Sequence, residues 1–361
     1  MVHGRSVRLG RPHRVLCVPV IVGALLVGAA PSAAEEHELA AESSTVDNPH
    51  DYMPPGKRYA RVTERTPVFE SRDDILDDRV SDRHGSADAE VWVVVHDRTE
   101  VDGEPYYLAG WDWNTSAWIP GDSLSFSLTL SPLRGVDLTD RSGRRPALVH
   151  VDSAPVHDAP PAEAGDEIHH TSSRLGALTR YDLVTVKEEV TTAAGSWYRI
   201  GSDQWIVSED VRELTPGDRP ESIDADERWI EVNLRKQTLF AHEGDTPLFA
   251  TLVSTGREGR ETITGLFRPW IVLRSAPMRG RSFGLDYDLA HVPWVVYFEG
   301  SFAWHGTYWH DRFGTRMSAG CINLSPHDAK WLIEWAEPSL DGAAVARPDE
   351  RQPGTWVYIR G

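Results

Sequence analysis

From residue 58 onward the chain alternates apolar and polar positions in short runs broken by glycine and proline, the period of strands rather than helices. Val91-Trp92-Val93-Val94-Val95-His96 and Tyr106-Tyr107-Leu108-Ala109-Gly110-Trp111 are predicted strands, with Gly103, Gly110 and Gly121 as turns. Farther on, Ile230, Val232 and Leu234 share one strand face, Leu239-Phe240-Ala241 begin the next, and residues 247–255 form a third that ends at Gly256. Residues 294–298, 302–304 and 354–360 are further predicted strands. One segment has a helical period. Ser325 offers an N-cap, Pro326 suits the first turn and Asp328 completes a capping pattern. Ala329, Leu332, Ile333 and Ala336 then fall on one face before Pro338. The pattern predicts a mainly β protein with a helix after residue 325.

The N-terminus reads differently. Arg5, Arg8, Arg11 and Arg14 precede an apolar run at residues 15–30, and Ser32-Ala33-Ala34 supplies small residues for cleavage. That order predicts a secretory signal over residues 1–34 and an exported protein, in the periplasm or cell wall. The apolar run is broken by Pro19 and falls short of the ~20 residues that span a bilayer, so an uncleaved membrane tether is the alternative. Residues 35–57 are polar, acidic and aperiodic, and predict a flexible spacer. Two stretches about 90 residues apart then echo each other. Tyr106-Tyr107-Leu108-Ala109-Gly110 with Trp118-Ile119-Pro120 matches Trp197-Tyr198-Arg199-Ile200-Gly201 with Trp205-Ile206-Val207. A paired-aromatic strand leading to a Trp-Ile strand resembles bacterial Src-homology-3-like modules, which implies small β-barrel-like modules at 58–135 and 145–215. Trp118, Trp197 and Trp205 either face a ligand or fill the module cores, and aromatic burial favours the second. Thr215-Pro216-Gly217-Asp218-Arg219-Pro220 is a turn-rich linker to a third domain at 226–361.

Charge narrows the partners. The chain carries a net charge of −18, and the signal segment holds four arginines and no acid, so the mature surface is more acidic still. Such a surface repels phosphate backbones and anionic lipid, and no nucleic-acid partner is expected.

The chain has two cysteines, and Cys17 leaves with the signal, so Cys321 is the sole mature thiol. An unpaired thiol is unusual in an oxidising compartment. It stands in Ser318-Ala319-Gly320-Cys321-Ile322-Asn323, sixteen residues after His305 of Trp304-His305-Gly306-Thr307. Cysteine with a histidine at hand is a candidate nucleophile and base; the alternative is an inert core cysteine. A free thiol with a pKa near 8.5 is only a few per cent thiolate at neutral pH, so an imidazole has a proton to take. A polar, partly open site would favour the thiolate. Gly320 allows a close backbone approach, so main-chain N–H groups around Cys321 can face a developing oxyanion. Gly306 leaves room for a substrate chain against the base. Ser318 either donates near the thiol or caps the loop. Asn323 ties the cysteine loop to its surroundings. His305, His310, Cys321 and His291 lack a placed carboxylate and a zinc-site spacing, so no metal is expected. Arg279, Arg281 and Arg316 are candidate carboxylate binders for a peptide substrate, or simply solvated arginines.

His305-Gly306-Thr307 followed by Ser318-Ala319-Gly320-Cys321-Ile322-Asn323-Leu324 resembles the L,D-transpeptidase catalytic domain family (YkuD-like). Val253-Ser254-Thr255-Gly256, Thr262, Thr264-Gly265-Leu266-Phe267 and Pro293-Trp294 agree with it upstream. The likeness covers 226–361. It implies a C-terminal YkuD-like β-sandwich with a helix after the catalytic Cys321, a base at His305 oriented by the Gly306 carbonyl, and no cofactor. The family usually has a second histidine immediately before the Gly-Cys; here the position is Ala319, so that imidazole is missing.

By resemblance, Cys321 attacks the third residue of a peptidoglycan donor tetrapeptide stem and expels the terminal D-Ala. The acceptor amine of a second stem peptide then resolves the thioester, which gives a 3→3 cross-link in cell wall biogenesis. Carbapenem β-lactams are expected to acylate the same thiol. An L,D-carboxypeptidase that uses water as acceptor, and a non-catalytic wall-binding protein, are the alternatives.

Overall fold

A computed structural model describes residues 49–361 apart from 111–115, 128–129, 142, 162–171 and 283–284. The expected signal at 1–34 and residues 35–48 of the expected spacer lie outside the described residues.

The C-terminal part is two sheets face to face. One has six strands in the order Gly265–Phe267, Trp356–Arg360, Arg228–Asn233, Thr238–Glu243, Thr246–Leu252 and Val136–Asp137. The other has five, in the order Ile322–Leu324, Phe302–Gly306, Leu285–Glu299, Ile271–Ser282 and Val345–Ala346. Strand alternation sends Ile230, Val232, Leu239 and Ala241 from the first sheet against Val272, Val296, Trp304 and Ile322 from the second. The helix Pro326–Trp335 closes this core with Ala329, Leu332 and Ile333, and its first turn is capped by Ser325, whose hydroxyl accepts the Asp328 N–H at 3.1 Å. Each such side chain taken fully from water contributes roughly 1.5–3 kcal/mol, so the sandwich is rigid enough to hold a site on its surface.

Two smaller β units precede it. The first is a sheet in the order Ser116–Pro120, Glu104–Gly110, Trp92–Val101, Arg58–Val62 and Leu124–Ser125, around Val62, Val93, Ala109 and Ile119. The second pairs a five-stranded with a three-stranded sheet around Val149, Val156, Ile200 and Ile206. The echo in the sequence corresponds to an antiparallel pair in each unit, with Tyr107 opposite Ile119 and Tyr198 opposite Ile206. Trp197 is buried, and Trp118 and Trp205 are half-buried.

Two connections differ from the expected layout. Val136–Asp137, between the two expected modules, pairs with Phe249 and Ala250 as the edge strand of the six-stranded sheet. The Gly135 N–H beside it donates to the buried Asp328 carboxylate at 2.8 Å. Pro49–Tyr52, inside the stretch read as spacer, form a turn of 3-10 helix, and Met53 after it is buried. The Trp294 indole donates to the Tyr52 carbonyl at 2.7 Å, and the Tyr52 hydroxyl accepts from Arg134 at 2.9 Å. Polarity alone hides such anchors, because two side chains and one carbonyl make them.

Candidate active site

Strand Phe302–Gly306 turns Trp304 into the sandwich core, so Ala303 and His305 fall on the opposite face. Ile322–Leu324 runs parallel beside it, with Trp304 opposite Ile322 and His305 opposite Asn323. The same alternation brings Cys321 and Asn323 onto the face of Ala303 and His305. Cys321 packs there against the cluster that contains Ala303.

His305 is 2% exposed. Its Nδ1 lies 3.1 Å from the Gly306 carbonyl and 3.4 Å from the Thr307 hydroxyl. A carbonyl can only accept, so Nδ1 carries the proton and Nε2 keeps the lone pair of a base. Burial lowers its pKa to about 4, against a smaller opposing effect of the Gly306 hydrogen bond. The imidazole is therefore neutral across the physiological range. Cys321 is half-buried, and its thiol donates to the Ser301 carbonyl at 3.8 Å. Burial pushes its pKa up, and the Ala303 N–H opposes this in part. The resting sulfur is a thiol, not the depressed thiolate expected from an open polar site. No hydrogen bond joins it to His305 among the described residues. The fold brings the two onto one face, where the thiol's partner is the Ser301 carbonyl.

The cysteine loop is over-determined. The Ser318 hydroxyl donates to the Cys321 carbonyl at 2.5 Å and accepts the Gly320 N–H at 3.1 Å, so Ser318 caps the loop. Thr262 donates its hydroxyl to the Gly320 carbonyl at 2.8 Å and accepts the Gly256 N–H at 2.9 Å. The N–H groups of Met317 and Ser318 both donate to the Thr255 carbonyl. Gly320 sits at φ +129°, and a Cβ there would lie 2.9 Å from the Phe302 ring, so both backbone and space demand glycine. With the Gly320 N–H spent on Ser318, the N–H groups of Ala319 and Cys321 are the loop donors without a partner among the described residues, and these can face an oxyanion.

A Cβ at Gly306 would lie 3.0 Å from the Pro293 ring and 3.3 Å from the Pro326 Cα, so packing under the hairpin and the helix start also favours glycine there. Asn323 exchanges backbone hydrogen bonds with Ser254, while its side chain lies 2.9 Å from His310 Nε2. The sequence offers His310 as a metal ligand or as the neighbour of Asp311, and neither reading places it on Asn323; its position between His305 and Cys321 is the signal that points there. Arg316 donates to the Gly256 and Leu234 carbonyls, both at 3.0 Å, and so is committed to the scaffold. Among the described residues no three of His, Cys, Asp and Glu come together as a metal site.

Residues 227–359 match the family profile described as YkuD, the L,D-transpeptidase catalytic domain. The matched stretch is the C-terminal sandwich, which is thus similar to that catalytic domain. A Bacillus subtilis (strain 168) protein named "Putative L,D-transpeptidase YciB" is 28% identical over 121 residues, which are 29% of this chain. The chain spans 59% of that protein's length. An L,D-transpeptidase from Mycobacterium smegmatis is similar at 14% identity over 74% of this chain and 99% of its own, with a TM-score of 0.31. The catalytic domain of an E. faecium L,D-transpeptidase acylated by ertapenem is similar at 20% identity over 38% of this chain and 100% of its own, with a TM-score of 0.29. Within the matched stretch, position 319 is alanine and carries no imidazole, and His310 of the preceding loop lies against Asn323.

Proposed function

We propose that this protein is an exported peptidoglycan L,D-transpeptidase that forms 3→3 cross-links through a Cys321 thioester. The observation that carries the reading is Cys321 on the same sheet face as a buried neutral His305, within the stretch that matches the YkuD domain. In the proposed first half-reaction, His305 Nε2 takes the thiol proton as sulfur attacks the carbonyl of the third stem residue. The oxyanion is met by the Ala319 and Cys321 N–H groups, and a single such donor is typically worth about 3–4 kcal/mol. Collapse expels D-Ala, whose amine receives the proton from His305. In the second half, the side-chain amine of another stem attacks the thioester, loses a proton to His305 and restores the thiol. The energy of the first amide is kept in the thioester, so no nucleotide is needed outside the cell. Carbapenem β-lactams would acylate the same sulfur. The two N-terminal β units belong to the proposal as Src-homology-3-like modules.

The test is muropeptide analysis after incubating purified protein with tetrapeptide-rich peptidoglycan. Cross-linked 3→3 dimers that vanish in Cys321→Ala support the reading. Tripeptides without dimers would mean an L,D-carboxypeptidase, and an unchanged profile a wall-binding protein.

A further inference from the structure

The loop 307–316 leaves the base and returns to the nucleophile, and both N-terminal units grip it. The Tyr308 ring packs against Tyr59 at 4.9 Å and Trp92 at 5.4 Å, both from the first unit. From the second unit, the Tyr181 hydroxyl donates to the Asp311 carboxylate at 2.8 Å and accepts the Phe313 N–H at 3.1 Å. Tyr181 is buried and held at φ +73°, a conformation a tyrosine keeps only where its surroundings impose it.

Between these anchors lies His310. The Arg312 N–H donates to its Nδ1 at 3.3 Å, so that nitrogen is bare and Nε2 carries the proton. The Asn323 side chain, 2.9 Å from Nε2, must then present its amide oxygen, the two ends of an amide being exchangeable by a flip. Asn323 sits opposite His305 and two positions after Cys321. The chain of contacts is continuous from the second β unit to the nucleophile's strand.

We propose that Tyr181 is a positioning residue of the active site: through Asp311 and Phe313 it holds His310 on Asn323, and so fixes the strand of Cys321 beside His305. The second β unit is then a part of the catalytic centre, whatever else it binds. The proposal deepens the transpeptidase reading and rests on it for turnover, but not for the reactivity of the thiol.

The experiment uses the full chain and the variants Tyr181→Phe, Asp311→Ala, His310→Ala, His310→Gln and the double Tyr181→Phe/His310→Ala. For each, the pH–rate profile of Cys321 alkylation by iodoacetamide is measured beside the melting temperature, with kcat and KM on tetrapeptide substrate. Tyr181→Phe, Asp311→Ala and His310→Ala should each slow alkylation and kcat by about tenfold or more with KM little changed, as expected for a reacting group displaced by a fraction of an ångström. The double variant should be no slower than His310→Ala alone, because both changes break one chain. His310→Gln should recover most of the rate, since its amide N–H can still donate to Asn323. Asp311 is exposed, so its variant removes no core packing, and the melting temperature reads what the buried Tyr181 hydroxyl loses with its acceptor. Rates within twofold of wild type at a lowered melting temperature, or effects that multiply in the double variant, would overturn the proposal. Coupled alkylation effects in a protein that makes no muropeptide product would instead defeat the transpeptidase reading and leave the positioning role standing.

Discussion

An imidazole and a thiol that are both neutral at rest dictate a particular pH behaviour. His305 titrates at about 4 and Cys321 is pushed upward, so at neutral pH neither carries charge until the proton moves between them. Alkylation of Cys321 should therefore follow an ionisation above the ~8.5 of a free cysteine, measured as iodoacetamide rate against pH. An apparent pKa well below that value would mean a preformed ion pair and would contradict the buried geometry. His305→Gln should leave this ionisation in place yet cost turnover about 10²–10⁴-fold, the usual worth of general base assistance. At Gly320, alanine would meet both the Phe302 ring and a φ of +129°. Gly320→Ala should lower stability by about 1–3 kcal/mol in urea titration. Adding Phe302→Ala should recover only the steric part, since the backbone strain remains.

At the scale of elements, residues 255–262 act as a cradle under the cysteine loop. Thr262→Val would leave the buried Gly256 N–H and Gly320 carbonyl without that hydroxyl, a cost of about 1–3 kcal/mol. It should also slow Cys321 alkylation, because the loop loses a tie one residue from the sulfur; an unchanged alkylation rate would show that Ser318 alone suffices. How much of this could be read beforehand follows from the physics of each element. The strand around Ile230 and Val232 and the helical face of Ala329, Leu332 and Ile333 are legible because burial on one side writes a period into the chain. His305 and Cys321 stand out in the sequence because the nucleophile chemistry proposed for them restricts residue type, and the fold brings them onto one sheet face. Val136–Asp137 is not, since two residues carry no period and only the free edge of Thr246–Leu252 makes them a strand. The crowding at Gly306 is not legible either, because Pro293 and Pro326 lie near it only in three dimensions. His310 and Tyr181 were passed over for the same reason, their partners being distant in sequence or supplied by another unit. The direction of the thiol's pKa depended on burial, which no local motif encodes.

For the molecule as a whole, buried and half-buried histidines set the response to acid. His291, His305 and His310 are each lowered from 6.5 to about 4, with burial the largest cause in every case. The His291 carbonyl accepts the Tyr59 hydroxyl of the first β unit at 2.7 Å, and His310 lies on the loop that Tyr181 holds from the second. Between pH 6.5 and 4 the unfolded chain binds protons at these sites and the folded chain does not, so stability rises with pH across that window and is lost on acidification. Above 6.5 both states are neutral and the contribution is fully present. For the almost fully buried His305 the loss amounts to about 3 kcal/mol on reaching pH 4. Carboxylates such as Glu231, held below the usual glutamate range mainly by His242, Gly217 and Arg360 against the effect of burial, act farther down, because their stabilisation disappears only as pH falls below 4.5. The order of events should therefore be visible. Urea unfolding free energy should be level from pH 8 to 6.5 and fall steadily to pH 4.5 before the carboxylates add to the decline. His305→Gln should flatten the histidine part of the curve while leaving the lower limb alone. A wild-type curve that stays level down to pH 5 would mean that water reaches these imidazoles and that the active-site face is open in solution.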